Sequence, residues 1–163
     1  MGPLAAPGVF DGSPVVTLGT SEENQGFVAD NYPEAAWKHV TDSEALLAAK
    51  RYDGAGYLAG YAVECTLKTL IWVESGRGRS GHNLTHLSST AVHLLSLPGQ
   101  RTASYVRHPN VTGLQYGPTG WRETLRYEAA GVVSKSDAEG WLAEAKRLCD
   151  EVIIPMKLDG VIP

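Results

Sequence analysis

The longest apolar segment of the chain covers residues 52–75, and its apolar positions follow the period of an α-helix. Apolar residues also occupy other faces of this segment, so a helix here is apolar most of the way round. This pattern is typical of a central helix that packs on several sides. One stripe consists of Leu58, Ala62, Cys65, Thr69 and Trp72, and other faces carry Ala59, Val63, Leu67 and Leu70.

A further stripe of the same helix is polar and carries Tyr57, Tyr61, Glu64 and Lys68. Glu64 precedes Lys68 by four residues, which is a favourable spacing for an ion pair worth about 0.3–0.5 kcal/mol in water. If the pair is buried, each ion loses several kcal/mol of hydration, and the pair then needs further polar partners. The sequence leaves both alternatives open: a buried network, or a solvated face at one edge of a helical bundle.

Three other segments show helical patterns. Residues 33–51 predict a first helix that begins at Pro33, a third helix runs from Leu84 to before Pro98, and Ser134 with Asp137 caps a last helix that ends at Pro155. Residues 121–127 are ambiguous between helix and strand, and residues 100–106 are compatible with a short helical turn. Asp53 is a candidate cap for the central helix, and the short connection before it predicts that the first two helices are antiparallel.

The N-terminal segment has no helical or strand period and is rich in glycine and proline over residues 1–20. We expect an N-terminal arm over residues 1–32, with a weak strand signal at 15–19, then a helical bundle over 33–157 and a tail over 158–163. The chain starts without a basic segment followed by an apolar core, and no apolar run approaches about 18 residues, so we expect neither a signal peptide nor a membrane span.

The chain has 163 residues and a formal net charge of -4, so it lacks a global basic surface for nucleic acid. Any contact with nucleic acid must therefore be local. Cys65 and Cys149 both lie in apolar helical patterns, where small buried thiols are common. This favours free thiols in a reducing cytoplasm over a disulfide framework.

The most concentrated positive charge lies in the loop GRGRSGHN, which contains Arg77 and Arg79 and leads to His82 and His86. An arginine beside a histidine can bind a phosphate and transfer a proton at neutral pH. The short-spaced pairs are Arg77 with His82, Arg79 with His86, and Arg101 with His108. A solvated surface loop is the plain alternative.

The motifs of several common activities are missing from the sequence. His82 and His86 have a spacing that suits zinc, but no carboxylate or cysteine nearby completes a ligand set, so we expect no metal. The sequence has no phosphate-binding glycine-rich loop, no dinucleotide fingerprint and no nucleophile elbow. These absences predict no cofactor and argue against classical nucleotide hydrolysis and serine chemistry.

Arg126, followed by Tyr127, lies in a stretch after Trp121 that can run back over the bundle. Such a path brings its guanidinium towards Glu64. A contact between Arg126 and this carboxylate would supply the additional partner that a buried ion pair requires.

Three segments together resemble the HEPN domain family of prokaryotes: DSEALLAAKRYDGAGYLAGYAVECTLKTLI, GHNLTHL and LRYEA, followed by the last amphipathic helix. The resemblance covers residues 37–154 and is most specific over 51–68, where Tyr61, Glu64 and Lys68 stand at the family's positions. It implies an all-α protein, an up-and-down bundle of four to five helices, usually a homodimer. It further implies RNA or nucleotide binding in toxin–antitoxin or antiviral defence systems, with a nucleotidyltransferase-like partner in some of them.

Many HEPN proteins are metal-independent endoribonucleases that use an arginine and a histidine four to six residues apart near a late helix. Here Arg126 has no histidine after it at that spacing. Two hypotheses remain. In the first, Arg77 or Arg79 acts with His82 or His86 in an endoribonuclease. In the second, the protein is a non-catalytic dimerisation and binding module, with a structural or ligand-orienting network formed by Tyr61, Glu64, Lys68, Arg126 and Tyr127.

Overall fold

The structure is a computed structural model that describes residues 2, 30–106, 114 and 120–163. The described residues form four α-helices, one short 3₁₀ helix and no strand, which confirms the predicted all-α fold. Most of the predicted N-terminal arm, including the strand signal at 15–19, lies outside the described residues. The elements are α1 (Tyr32–Ala48), α2 (Tyr52–Ser75), α3 (Leu84–Leu95), the 3₁₀ helix (Glu123–Tyr127) and α4 (Lys135–Leu158).

Helix α2 is the centre of the fold and packs against α1, α3, α4 and the 3₁₀ helix. Its side chains are buried on several faces, and Ala59, Val63 and Leu67 are fully inaccessible to solvent. A helix that is apolar all round is stable only when neighbours cover it on all sides, as they do here. The predicted role of residues 52–75 as a central helix is therefore confirmed.

The end of α2 follows its sequence signals, whereas its start does not. Gly76 ends the helix with a left-handed backbone, φ 67°, which glycine adopts without a steric penalty. The predicted cap Asp53 is wrong, because the residue at the cap position is Arg51, which makes no side-chain capping bond. Asp53 instead accepts hydrogen bonds from the backbone N–H groups of Gly131 and Val133 at 2.7 and 2.8 Å. It therefore ties the start of α2 to the segment before α4.

Helix α4 begins as predicted, because the Ser134 side chain accepts a hydrogen bond from the N–H of Asp137 at 3.0 Å. The predicted end at Pro155 is wrong, since the helix continues to Leu158. A proline in the last turn removes only one helical hydrogen bond, and its ring carbonyl still accepts the N–H of Asp159 at 2.9 Å. Burial of Met156 and Ile162 holds this end of the chain against the core.

The 3₁₀ helix resolves the ambiguous segment 121–127, and Trp121 fixes its position over α2. A Cβ atom added to Gly60 would lie 2.0 Å from the indole of Trp121, so the ring packs directly on the glycine backbone. The indole N–H also donates a hydrogen bond to the carbonyl of Tyr57 at 3.0 Å. These contacts bring Arg126 and Tyr127 close to the middle of α2.

The connection after α3 forms turns and bends over residues 101–105 and no helix there. Glu74 near the end of α2 explains this geometry, because its carboxylate accepts the N–H of Thr102 at 2.6 Å and the hydroxyl of the same residue. Across the part of the chain that the structure describes, no helix combines the length and apolar character needed to cross a membrane.

Candidate functional site

The carboxylate of Glu64 lies in the core and forms the centre of the site. Glu64 is 2% exposed and Lys68 is 7% exposed, and Lys68 Nζ lies 2.9 Å from Glu64 Oε1. The solvated alternative therefore does not hold for these two charges. A buried ion pair is stable only with good geometry and additional partners, so the surroundings of Glu64 decide its role.

The additional partner of Glu64 is His82, which the structure places where the sequence suggested Arg126. His82 Nδ1 lies 3.0 and 3.1 Å from the two carboxylate oxygens. Glycine turns in the loop after α2 return the chain to this carboxylate, and Asn83 then caps α3 by accepting the N–H of His86. The carboxylate is thus shared between a buried ammonium and an imidazole.

The orientation of His82 follows from the chemistry of its partner. A carboxylate only accepts hydrogen bonds, so His82 Nδ1 must carry the proton that it donates to Glu64. The Nε2 atom of the neutral ring then keeps a lone pair, and the side chain is 46% exposed. A buried carboxylate that fixes the tautomer of a solvent-accessible histidine is the arrangement found in many acid–base sites.

Tyr61 stands beside His82 and joins the site to the 3₁₀ segment. Its ring centroid lies 5.9 Å from that of His82 and 5.5 Å from that of Trp121, both in edge-on contact. Its hydroxyl oxygen accepts hydrogen bonds from the Tyr57 hydroxyl at 3.2 Å and from Arg126 Nη1 at 3.5 Å. Burial raises the pKa of Tyr61, so this group remains a phenol that can donate its own proton.

Arg126 reaches Tyr61 rather than Glu64, and its guanidinium also lies 4.8 Å from the ring centroid of Tyr127. Both Arg126 and Tyr127 are exposed. An exposed arginine and a half-exposed histidine therefore contact the same tyrosine, although 44 positions separate Arg126 from His82 in the sequence. Neither residue is at the family's sequence spacing, so only the fold brings them together.

The second predicted pair, Arg79 and His86, is formed at the surface. Arg79 Nη2 lies 2.6 Å from His86 Nε2, and because arginine can only donate, this bond occupies the lone pair of that nitrogen. His86 is therefore less available as a base than His82. Arg77 is exposed, and its side chain has neither a hydrogen bond nor an ion pair with the described residues. His108, the predicted partner of Arg101, lies outside them.

His39 on α1 belongs to the same aromatic group, which the sequence did not reveal. Its ring centroid lies 5.8 Å from that of Tyr61, and its Nδ1 atom is buried without a hydrogen-bond partner. Burial lowers the pKa of His39 and favours its neutral form. Its position beside the buried Val40, at the edge of the apolar face of α1, was the available signal.

The described residues contain no group of three or more histidine, cysteine or acidic side chains that could hold a metal ion. Burial raises the pKa of Cys65 to about 12 and that of Cys149 to about 11, so both remain thiols at neutral pH. The chemistry available around Glu64 is therefore that of imidazole, phenol and guanidinium groups.

A comparison with protein families finds that the HEPN domain model matches residues 30–154 of the chain. This match covers more than half of the chain and includes every residue of the Glu64 site described above. No curated protein and no solved structure gives a significant match.

Proposed function

Because this chain belongs to the HEPN domain family, we propose that it binds RNA or a nucleotide and acts as a metal-independent endoribonuclease at His82. The observation that carries the proposal is the geometry of this imidazole. Its Nδ1 atom bonds both oxygens of the buried Glu64, while its Nε2 atom keeps a lone pair on a side chain that is 46% exposed.

The proposed reaction is an internal transesterification of RNA. His82 Nε2 accepts the proton of a ribose 2′-hydroxyl, and the 2′-oxygen attacks the adjacent phosphorus atom. The bond from phosphorus to the 5′-oxygen breaks, and this oxygen takes a proton from water. The products are a 2′,3′-cyclic phosphate and a 5′-hydroxyl. Arg126 and the hydroxyl of Tyr61 stabilise the negative charge that develops on the phosphate.

The basic loop after α2 supplies the local positive charge that an acidic protein needs to bind RNA. Arg77 and Arg79 lie a few residues before His82, and Arg77 has no carboxylate partner among the described residues. We infer that these arginines bind backbone phosphates and orient the strand towards His82. Such contacts supply affinity without reading the base sequence.

The test is cleavage of end-labelled single-stranded RNA in the presence of EDTA. The wild-type protein should cleave, and His82→Gln should lower the rate by roughly 10²–10⁴-fold, the usual contribution of a general base. His86→Gln is the matched control, because the Nε2 lone pair of His86 is already occupied by Arg79. Absence of cleavage by the wild-type protein, or equal rates for wild type and His82→Gln, would rule out the enzymatic function.

A non-catalytic binding and dimerisation module is the second candidate, and one observation favours it. Lys68 shares Glu64 Oε1 with His82, which is the arrangement expected of a structural ion network. In this case the protein binds RNA in a filter-retention assay but leaves it intact, and His82→Gln changes thermal stability more than RNA affinity.

The biological setting that fits either candidate is a toxin–antitoxin or antiviral defence system. We propose that the protein acts there as a homodimer and that a nucleotidyltransferase-like protein is its cognate partner. Light scattering after gel filtration tests the dimer, and co-purification with the product of a neighbouring gene tests the partner. A monomer at micromolar concentration would contradict the first part of this proposal.

A further inference from the structure

A pocket of about 290 Å³ lies between the first turns of α2 and the segment 125–133. Two arginines line it, Arg51 from the start of α2 and Arg126 from the 3₁₀ helix, together with Tyr57. Arg126 and Tyr57 both bond to Tyr61, which contacts His82. The pocket therefore opens next to the candidate site and shares its arginine.

The positive charge of the two arginines is not cancelled by the acidic residues of the pocket. Asp53 uses its two carboxylate oxygens to accept the N–H groups of Gly131 and Val133. Glu128 accepts hydrogen bonds from Nε and Nη2 of Arg122 at 3.0 and 2.5 Å. By contrast, the Arg51 guanidinium has neither a hydrogen bond nor an ion pair with the described residues, so it is available to an anionic ligand.

The remaining wall of the pocket is apolar and suits a planar ring. Leu125, Val132 and Val133 contribute aliphatic side chains. The Tyr57 ring stacks on Trp121 with a centroid distance of 6.4 Å and an angle of 28° between the planes, which fixes its orientation. An apolar wall with a few convergent polar groups is the usual composition of a small-molecule pocket.

We propose that this pocket receives one nucleotide unit, with its phosphate on Arg51 and Arg126 and its base against the apolar wall. This inference rests on the proposed function, because it names the ligand class and the subsite beside His82. The volume of about 290 Å³ is at the lower end of the range for ligand pockets, which fits a single nucleotide and leaves no room for a dinucleotide cofactor. Arginine is the side chain best suited to phosphate, which it binds in a bidentate manner.

The geometry also gives the direction of a bound strand. A nucleotide in the pocket has its phosphate at Arg126, and the next ribose then lies along Tyr61 towards His82. Free nucleotides and RNA strands offer the same phosphate and base, so either source can supply the ligand.

The test is calorimetric titration of the full chain with adenosine 5′-monophosphate, with adenosine and with a six-nucleotide RNA. Arg51→Gln should weaken the affinity for the monophosphate or for the RNA by about tenfold, equivalent to 1.4 kcal/mol, and Arg51→Lys should restore part of it. Adenosine affinity should change by less than about twofold, because adenosine has no phosphate to bind the guanidinium. Arg101→Gln is the matched control, since this exposed arginine lies at the opposite end of α2, next to Glu74.

The outcomes separate the pocket from the enzymatic function. If only the RNA responds to Arg51→Gln, the pocket takes a nucleotide of a strand; if the monophosphate responds, it also takes free nucleotides. The pocket is contradicted if Arg51→Gln binds both phosphorylated ligands as tightly as the wild type, even when RNA cleavage at His82 persists. An Arg51-dependent affinity in a protein that does not cleave RNA would support the pocket and reject the ribonuclease. Thermal melting checks that each variant is folded.

Discussion

Glu64 carries its charge in the core with two partners, Lys68 and His82, and sequence spacing revealed only the first of them. The Glu64–Lys68 pair follows from the period of one helix. His82 lies 18 residues from Glu64, and their contact depends on how the loop after α2 turns back, which no local pattern encodes. For the same reason the sequence suggested Arg126 as the additional partner, although it contacts Tyr61 instead.

Replacing Glu64 by alanine should destabilise the protein by about 3–5 kcal/mol, because the Lys68 ammonium would remain buried without a counter-charge. Chemical denaturation followed by circular dichroism measures this change. Glu139→Ala is the matched control, because Glu139 forms an exposed pair with Lys135 at the same helical spacing and should change stability by less than about 1 kcal/mol. Equal effects of the two substitutions would show that Glu64 is not buried in solution.

At the scale of elements, the sequence predicted the helices well and their long-range anchors poorly. The limits of α2, the glycine at its end and the Ser134 cap of α4 are local features, and they are found as predicted. Asp53 was assigned to a cap because capping is the common use of such a residue, but the N–H groups of residues 131 and 133 compete for the same carboxylate. Pairing across 78 positions depends on tertiary packing, which a local pattern does not contain.

Gly60→Ala should destabilise the protein by about 1–3 kcal/mol, despite the higher helix propensity of alanine, because the new methyl group would overlap the Trp121 ring. The displaced indole should also shift the tryptophan emission. Gly140→Ala in α4 provides the control, since a Cβ there meets no atom within 4 Å, and we expect it to stabilise by about 0.5–1 kcal/mol. If both substitutions stabilise, the close packing of Trp121 on α2 is wrong.

Asp53→Asn should lower stability at neutral pH by on the order of 1 kcal/mol, because an amide oxygen replaces a carboxylate as acceptor of two backbone N–H groups. Hydrogen bonds from Gly131 and Val133 hold the folded-state pKa of Asp53 below 3.8, although desolvation partly opposes them. Its contribution is therefore complete above the unfolded-state pKa and is lost as the pH falls through the folded-state pKa.

Thermal melts of the wild type and Asp53→Asn between pH 7 and pH 2 test this expectation. The difference in melting temperature should be constant near neutral pH and should shrink in the acid range. A difference that grows with acidity would mean that the carboxylate is not stabilised by these bonds.

At the scale of the whole molecule, net charge and composition described the protein less completely than the location of its charges. The chain carries a net charge of -4, yet its basic groups near His82 are Arg77, Arg79 and Arg126, which come from two separate segments. The sequence identified the loop arginines as a local cluster. It did not show that Arg126 joins the site through Tyr61, because that contact requires Trp121 to be packed on α2.

The central claim is that His82 acts on a ribose 2′-hydroxyl without a metal ion, and the chemical ends of the RNA product test it most directly. Purified protein is incubated with a labelled RNA in EDTA, and the product ends are identified by mass spectrometry. We predict a 2′,3′-cyclic phosphate and a 5′-hydroxyl, with both absent from the His82→Gln reaction. A 3′-hydroxyl with a 5′-phosphate, or the same cyclic product from His82→Gln, would contradict the claim.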